Sequence, residues 1–317
     1  NTFTNPLLVS GADPWVVQKD SIYYFMCTMG NRIVVRGAMR MTSLQYAYQK
    51  TIWSPSLPAD SAHGSDIWAP EMHYIQGKWY VYFAADNGND ASHRMYVIEN
   101  DSQDPMAGAW TFKGQLKSQT DQWAIDGTVL DYNNKQYFIW SGWKADNNSG
   151  IQQLYIAEMT DPWTLSGERV MISEPDYPWE KNGLVNEGPE ILKNAQGKVF
   201  LIYSASGCWT DNYCLGMLSL KDNGDPLNPQ DWTKSPEPLM STDAGSQAFS
   251  PGHCGFFKSP DGKEDWIIYH ANKLPGQGCG SDRSPRIQQF TWNADGTPYC
   301  GSPLKIDSPI VKPSGWR

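Results

Sequence analysis

The chain has 317 residues, with 25 Lys and Arg against 34 Asp and Glu, which gives a formal net charge of −9. This acidic balance is unfavourable for binding nucleic acid or an anionic membrane surface, so we expect neither as a partner. No apolar run approaches the ~18 residues that a transmembrane helix needs. The polar start at Asn1 is not a signal peptide, so one was removed or none existed.

Aromatic residues are frequent: 15 Trp, 16 Tyr and 10 Phe stand beside 28 Gly and 22 Pro. This composition is typical of many short strands joined by turns rather than of helices. Aromatic side chains either fill a β core or offer flat surfaces on which a ligand stacks. Composition alone leaves both interpretations open.

Five β-hairpins follow one another along the chain, each made of a short apolar run, a turn and a second run rich in aromatic and β-branched residues. Long apolar patterns with the period of an α-helix are absent. The paired runs are Trp15–Val17 with Ile22–Phe25, Met72–Ile75 with Trp79–Phe83, Thr128–Tyr132 with Tyr137–Trp140, Ile191–Leu192 with Val199–Tyr203, and Phe256–Phe257 with Trp266–Tyr269. The sequence therefore predicts an all-β fold.

The hairpins recur every ~55–65 residues, and each interval has room for one or two further strands, such as Arg94–Ile98 and Leu154–Ala157. A few antiparallel strands per repeat are typical of a propeller blade, so we predict a five-bladed β-propeller. No Pro/Ser-rich linker or break in composition divides the chain, and we expect one domain over residues 1–317. A two-sheet β-sandwich is the alternative, but a fivefold repeat is not its natural pattern.

Three polar segments that precede hairpins each carry an acid among small or apolar neighbours. They are 11–15 with Asp13, 124–128 with Asp126, and 186–190 with Glu187. Each acid alone has a simpler explanation, since Asp-Pro and Asp-Gly are turn formers and a Glu before Gly-Pro can be a solvated loop residue. Acids at the same phase of three blades, however, converge on the central channel, where burial and like charges perturb their pKa values. Hydrolysis of a glycosidic bond requires two such carboxyl groups.

Six motifs occur in order over nearly the whole chain: Ala12–Trp15, Asp66–Glu71, Ile125–Gly127, Asn186–Glu190, Ser250–His253, and Arg283–Trp292 followed by Asp295-Gly296. Each motif alone is weak, but together they resemble glycoside hydrolase family 43, the five-bladed propeller arabinanases, arabinofuranosidases and β-xylosidases. The resemblance implies an inverting enzyme, whose acid and base stand ~6.5–9.5 Å apart. The Ala-Asp-Pro setting of Asp13 departs from the Asn-Asp-Pro of fructoside-hydrolysing propellers, which counts against sucrose-type substrates.

The resemblance also implies a role for each acid. Asp13 is the expected general base that activates water, Glu187 is the general acid, and Asp126 orients Glu187 and raises its pKa. His253 matches a histidine near the channel axis and is expected to bind substrate. It either belongs to a hydrated calcium site in the central channel or only forms hydrogen bonds, because calcium prefers oxygen ligands. No cofactor is expected for the chemistry itself.

Further residues are expected near the sugar, the arginine by the resemblance and the tryptophans by their positions beside the acid-bearing segments. Arg283 matches a sugar-contacting arginine, with a surface ion pair as the alternative, and Arg286 is the less favoured candidate for that role. The tryptophans expected beside the pocket, where an indole packs on the C–H face of a sugar, are Trp15, Trp68 and Trp143, although core packing is equally expected for Trp68. Trp79, Trp140 and Trp266 lie within strand runs and are predicted to be core.

Within the family, the expected activity is that of an exo-acting α-L-arabinofuranosidase that releases arabinofuranosyl units from arabinan or arabinoxylan of the plant cell wall. A β-xylosidase or an endo-1,5-α-L-arabinanase is the alternative, since arabinofuranosyl and xylopyranosyl units present similarly placed hydroxyls. A non-catalytic sugar-binding propeller is less favoured, because all three acids are present. We expect a monomer.

The six cysteines contain no CxxC pair, which is unfavourable for a zinc or thioredoxin-like site. Six thiols allow many pairings; the pairs that we favour are Cys208–Cys214 and Cys279–Cys300, which leaves Cys27 and Cys254. The first disulfide would pin a rim loop that carries Trp209. Together with glycosylation sequons at Asn100 and Asn147, the cysteines fit an extracellular, secreted protein.

Overall fold

Strand pairing divides the chain into five four-stranded antiparallel sheets in the computed structural model, which describes residues 1–58, 61–144 and 150–315. Each sheet uses four strands consecutive in sequence, the first of them innermost, and forms one blade of a propeller. Blade 1 contains β2 (Trp15–Lys19), β3 (Ile22–Met26), β4 (Ile33–Ala38) and β5 (Tyr48–Trp53); blade 2 contains β6 (Ser65–Ile75), β7 (Lys78–Asp86), β8 (Arg94–Asn100) and β9 (Thr111–Leu116). The predicted five-bladed β-propeller is confirmed.

The remaining blades repeat this order. Blade 3 contains β10 (Ala124–Tyr132), β11 (Lys135–Trp143), β12 (Gln152–Asp161) and β13 (Thr164–Ser173); blade 4 contains β14 (Asn186–Lys193), β15 (Val199–Ala205), β16 (Cys214–Leu220) and β17 (Trp232–Lys234); blade 5 contains β18 (Phe249–Lys258), β19 (Asp265–Asn272), β20 (Ser284–Trp292) and β21 (Pro298–Tyr299). The helices among the described residues are short 3₁₀ turns at Met41–Tyr46, Asp90–Ser92, Pro178–Glu180, Pro229–Asp231 and Ala244–Ser246. None of these is long and apolar enough to cross a membrane.

Two-residue turns join the first two strands of blades 1, 2 and 3. Gln76 and Gly77 between β6 and β7 have φ 50° and 85°, and Asn133 and Asn134 between β10 and β11 have φ 50° and 62°. Positive φ at both central residues is the turn geometry that matches the twist of a hairpin, and Gly and Asn adopt it most readily. The hairpins predicted from the turn residues are therefore confirmed.

Each contact between neighbouring blades, which we call a seam, contains its own apolar core. Successive residues of a second strand alternate between two seams, so Trp79 and Phe83 pack towards blade 1 whereas Tyr80 and Tyr82 pack towards blade 3. The tryptophans predicted to be core are buried, with exposed fractions of 0% for Trp79, 5% for Trp140 and 2% for Trp266. Most aromatic residues of the second strands therefore hold blades together.

The two ends of the chain close the ring. Strand β1 (Thr2–Phe3) pairs with β22 (Ile310–Val311) beside blade 5. The side chain of Asn5 donates to the carbonyl oxygen of Ile287 at 2.9 Å and accepts from the N–H of Ile287 at 3.0 Å. The N-terminal segment thus uses a buried amide to attach itself to blade 5 before it enters blade 1.

The disulfide pattern differs from the prediction. Cys208 bonds to Cys279 across 71 residues, while Cys27, Cys214, Cys254 and Cys300 are buried free thiols. Both expected pairs are wrong, because β16 points Cys214 into the seam between blades 3 and 4, and Cys300 lies in the seam between blades 4 and 5. The actual bridge joins the β15–β16 loop of blade 4 to the β19–β20 loop of blade 5.

The two sequons have different positions. Asn100 is 1% exposed, and its amide donates to the carbonyl oxygen of Ala107 at 2.8 Å. A buried, hydrogen-bonded amide cannot carry a glycan in the folded protein. Asn147 lies outside the described residues.

Breaks in strand pairing shape the innermost strands, which line the channel. The pairing register shifts in β6, β10, β14 and β18, where one strand has extra residues against its neighbour. Such bulges turn side chains away from the regular alternation. Residues at matching positions adopt positive φ, namely Asp13 (56°), Ala69 (44°), Asp126 (58°), Gly188 (54°) and His253 (47°). The repeated irregularity aims side chains from several blades at one point.

Candidate active site

Polar side chains from four blades meet at the channel axis. His253 of blade 5 has its Nδ1 atom 3.2 Å from Oδ1 of Asp13, which leads into blade 1, and 4.0 Å from Oδ2 of Asp126 in blade 3. The backbone N–H of Gly188, which follows Glu187 in blade 4, donates to Oδ2 of Asp126 at 3.0 Å. The three acids that were predicted to converge are therefore together.

Asp13 is surrounded by groups that favour its ionised form. Thr28 Oγ1 donates to its Oδ2 at 2.6 Å, Arg283 Nη1 lies 3.4 Å from its Oδ1, and its own N–H donates to Nδ1 of His270 at 3.0 Å. Burial alone would raise the pKa of Asp13, but the positive charges of His253 and Arg283 outweigh burial and hold the pKa below its ordinary value. The Asp13 side chain is 13% exposed, so the ionised carboxylate keeps some contact with solvent.

Asp126 has the opposite balance. Its side chain is 6% exposed, and burial is the main reason that its pKa rises from 3.8 to about 7. His253 opposes this rise, while the negative charges of Glu187 and Asp13 add to it. Asp126 is the most enclosed of the three acids, so it is placed to act on its neighbours rather than on a ligand.

Glu187 accepts a hydrogen bond at each carboxyl oxygen. Gln152 Nε2 donates to its Oε2 at 2.9 Å, and the Tyr213 hydroxyl donates to its Oε1 at 3.0 Å. Burial nevertheless raises the pKa of Glu187, and the nearby charge of Asp13 adds to the rise. Asp13 and Glu187 thus form a pair with opposite pKa shifts, as a base and an acid require.

The comparison with known proteins fits this geometry. The family model for glycosyl hydrolases family 43 matches residues 3–298. The chain belongs to glycosyl hydrolase family 43. An extracellular exo-α-(1→5)-L-arabinofuranosidase of Streptomyces avermitilis is 42% identical over 96% of this chain and 64% of its own length. α-L-Arabinofuranosidase 43 of Humicola insolens is 36% identical over 95% of this chain and also 64% of its own length, so the chain spans less than two thirds of these two relatives.

Two further proteins match this chain over most of both lengths. An extracellular exo-α-(1→5)-L-arabinofuranosidase of Streptomyces chartreusis is 39% identical over 86% of this chain and 83% of its own length. The crystal structure of an α-L-arabinofuranosidase from Lactobacillus brevis superposes with a TM-score of 0.90 at 38% identity, covering 96% of this chain and 98% of the other. The family and the fold predicted from the motifs are confirmed.

His253 is the imidazole partner of the acids in this family 43 site. Burial lowers the pKa of its imidazole, but the charges of Asp13, Asp126 and Glu187 outweigh burial and raise it. Among the described residues, no group of three or more His, Cys, Asp or Glu side chains is arranged to hold a metal ion. The hydrated calcium expected beside His253 stays a prediction.

The two arginines considered from the sequence have different environments. Arg283 reaches Asp13 and is held by the carbonyl oxygens of Cys279 (Nη2, 2.6 Å) and Gly280 (Nε, 3.1 Å). Arg286 is 0% exposed and donates to backbone carbonyls, among them that of Gln247 at 2.8 Å. Arg283 is therefore at the site, whereas Arg286 has a structural role inside blade 5.

The tryptophans expected beside the pocket are held by seam packing. Trp15 donates its indole N–H to the carbonyl oxygen of Met72 at 3.0 Å and lies 4.8 Å from the ring of His73. Trp143 is 5% exposed and stacks on Trp123 at 4.8 Å. Contact of these two indoles with a sugar stays a prediction.

Two other tryptophans have accessible surface, as Trp15 does. Trp68 is half-buried and stacks on the imidazole of His93 at 4.0 Å. Trp209 is 59% exposed on the loop that the Cys208–Cys279 bridge attaches to blade 5. The loop position expected for Trp209 therefore comes from a bond between blades and not from a bond within the loop.

Sequence reasoning missed the side chains that hold the acids. They are Thr28, Gln152, Tyr213 and His270. His270 follows directly on the predicted strand run Trp266–Tyr269, and a histidine at the end of a buried strand was a usable signal. The other three lie at strand ends or in loops, where no spacing relates them to the acids.

Proposed function

We propose that the chain is an inverting exo-α-L-arabinofuranosidase. The observation that carries the proposal is the pair formed by Asp13, held ionised, and Glu187, whose pKa is raised, in one cluster of side chains from several blades. Asp13 takes a proton from water as the water oxygen bonds to the anomeric carbon. Glu187 gives its proton to the glycosidic oxygen, which leaves with the electron pair of the broken C–O bond.

The buried Asp126 supports Glu187 as the general acid. Its charge opposes ionisation of nearby carboxyl groups, and its contact with the N–H of Gly188 fixes the peptide next to Glu187. In an inverting enzyme a water molecule must fit between base and sugar, so Asp13 and Glu187 should stand ~6.5–9.5 Å apart.

The substrate proposal rests on the relatives. Those with 36–42% identity over most of the chain are named α-L-arabinofuranosidases, two of them exo-acting and extracellular. An endo-1,5-α-L-arabinosidase of Aspergillus aculeatus is only 21% identical over 65% of the chain. We therefore favour terminal arabinofuranosyl units of arabinan or arabinoxylan over endo cleavage, and a secreted protein, with which the disulfide agrees. A monomer and a channel calcium remain part of the proposal.

A parallel assay tests the proposal. Nitrophenyl α-L-arabinofuranoside, nitrophenyl β-D-xyloside and linear arabinan are compared at equal enzyme concentration. We expect turnover of the arabinofuranoside, arabinose as the first product from arabinan, and the inverted anomer by NMR. Faster turnover of the xyloside would support a β-xylosidase, and oligosaccharides as first products would support endo action. Binding of arabino-oligosaccharides without turnover of any substrate would support a non-catalytic propeller.

A further inference from the structure

Tyr213 lies between the general acid and the residue that holds the base. It is 1% exposed and directly precedes β16; its hydroxyl is 3.0 Å from Oε1 of Glu187. Its ring is nearly parallel to the imidazole of His270, with 5.8 Å between ring centres and 7° between planes. A Cβ on Gly252 would come within 2.2 Å of the same ring. The ring is therefore enclosed and its hydroxyl has one fixed position.

The direction of the hydrogen bond to Glu187 follows from the two groups. The Tyr213 hydroxyl supplies one hydrogen and an ionised carboxylate can only accept, so Tyr213 donates to Oε1 of Glu187. Burial and the charge of Glu187 raise the pKa of Tyr213 well above its ordinary value, so this hydrogen stays in place.

The other oxygen of Glu187 has a second partner. The amide nitrogen of Gln152 donates to Oε2 at 2.9 Å and to Ser141 Oγ at 3.2 Å. Both oxygens of Glu187 are therefore held by donors, one from blade 3 and one from the residue that precedes β16 in blade 4.

We propose that Tyr213 is a positioning residue that holds the carboxyl group of Glu187, through Oε1, in the orientation needed for proton transfer. This inference rests on the proposed function, with Glu187 as general acid. In the acid step the O–H bond of Glu187 breaks, its proton goes to the glycosidic oxygen, and Glu187 is left as a carboxylate that Tyr213 and Gln152 both stabilise.

Tyr213→Phe tests the inference, because it keeps the ring packed on His270 and removes only the hydroxyl. We expect kcat on an arabino-oligosaccharide to fall by about 10–100-fold, and kcat on nitrophenyl arabinofuranoside by less than about threefold, since only the poor leaving group needs the acid. KM should stay within about twofold. Loss of the donor raises the pKa of Glu187, so the basic limb of the pH profile should move to higher pH.

Tyr269→Phe is the matched control. Its hydroxyl donates to Gln288 Oε1 at 2.9 Å inside blade 5 and touches none of the acids. We expect this variant to lose thermal stability comparably but to show no dependence on the leaving group. Equal losses on both substrates in Tyr213→Phe, or an unmoved basic limb, would overturn the inference.

The same experiment separates the two proposals. If the wild type turns over no arabinofuranoside, the proposed function fails, and the inference is then judged by ¹³C NMR of labelled glutamate carboxyls, with Glu187→Gln as the assignment control. The carboxyl pKa of Glu187 should be higher in Tyr213→Phe than in the wild type. An unchanged pKa would overturn the role of Tyr213 without reference to activity.

Discussion

The backbone N–H of Gly188 donates to Oδ2 of Asp126 at 3.0 Å, so the carboxyl of one blade is bonded to the peptide beside the acid of the next. Gly188 has φ 54°, and a Cβ there would lie 3.2 Å from both His253 Nδ1 and Ser204 Oγ. Asp126 is therefore linked through the main chain to the residue that follows Glu187. The carboxyl oxygens of Glu187 themselves are bonded to Gln152 and Tyr213.

Substitution of the acid and the base should have different signatures. Asp13→Asn should lower kcat on every substrate by about 10³-fold or more, because the attacking water always needs a base. Glu187→Gln should lower kcat on arabino-oligosaccharides by a similar factor but retain much of the turnover of nitrophenyl arabinofuranoside, whose leaving group departs without a proton. Steady-state kinetics on both substrates, with folding checked by circular dichroism, measures the difference. Near wild-type turnover in either variant would contradict its assigned role.

Asp126→Asn should stabilise the fold above neutral pH. The pKa of Asp126 rises from 3.8 to about 7 on folding, so its contribution to stability is complete below pH 3.8 and is lost as pH rises to 7. Asn stays neutral and still accepts from the N–H of Gly188. The free energy of unfolding in urea should therefore be higher in the variant by on the order of 2–4 kcal/mol at pH 8, with little difference at pH 4.

The pH dependence of that difference is the decisive measurement for Asp126. If the variant were less stable than the wild type by the same amount at both pH values, ionisation of Asp126 would not destabilise the folded protein, and the prediction would be wrong. Activity should fall in the same variant, since the acid loses the neighbouring charge.

Arg283 should set the lower pH limit of activity. Its guanidinium helps to lower the pKa of Asp13, so Arg283→Gln should raise that pKa and move the acidic limb of kcat/KM to higher pH. We also expect kcat/KM at neutral pH to fall by about 10–100-fold. Arg283→Lys is the control, because it keeps the charge and should keep the acidic limb closer to that of the wild type. If Arg283→Gln and Arg283→Lys had the same acidic limb of kcat/KM, the charge of Arg283 would not be what lowers the pKa of Asp13.

The Cys208–Cys279 bond should stabilise both the ring and the arginine. Replacing both cysteines by Ala should lower the free energy of unfolding by about 2–4 kcal/mol, because the bond closes a long loop in the unfolded chain. Denaturation with and without reductant measures this, and the variant should no longer respond to reductant. Cys214→Ala, which changes a buried free thiol, should keep the response.

The pairing itself has an independent check. Thiol titration of the denatured, unreduced protein should find four free cysteines, and peptide mapping should find Cys208 joined to Cys279. A Cys208–Cys214 peptide would contradict the structure. Because Arg283 donates to the carbonyl oxygen of Cys279, kcat/KM should also fall in the double variant.

The sequence by itself determined the repeat and the acids. Turn residues such as Gln76-Gly77 and Asn133-Asn134 encode the hairpins locally, because their backbone conformation matches one type of tight turn. Asp13, Asp126 and Glu187 stood out since each lies among small or apolar neighbours near the start of a hairpin. The predicted common phase holds only approximately, because Asp126 and Glu187 lie within β10 and β14, and the position that matches Asp126 in blade 4 is Gly188. Because the hairpin pattern repeats five times, the local turn signals together predicted a ring of blades with the three carboxyls near its axis.

Only the tertiary structure decided which groups surround those carboxyls. Thr28, Gln152, Tyr213 and His270 reach the acids across turns and seams, and the hydrogen bond between Tyr213 and Glu187 spans 26 residues. The partner of Cys208 is likewise decided by the neighbouring blade. Cys214, six residues from Cys208, is turned into a seam, whereas blade 5 brings Cys279 close to Cys208. Spacing along a strand predicts which face a side chain occupies, but contacts between blades depend on the closure of the whole ring.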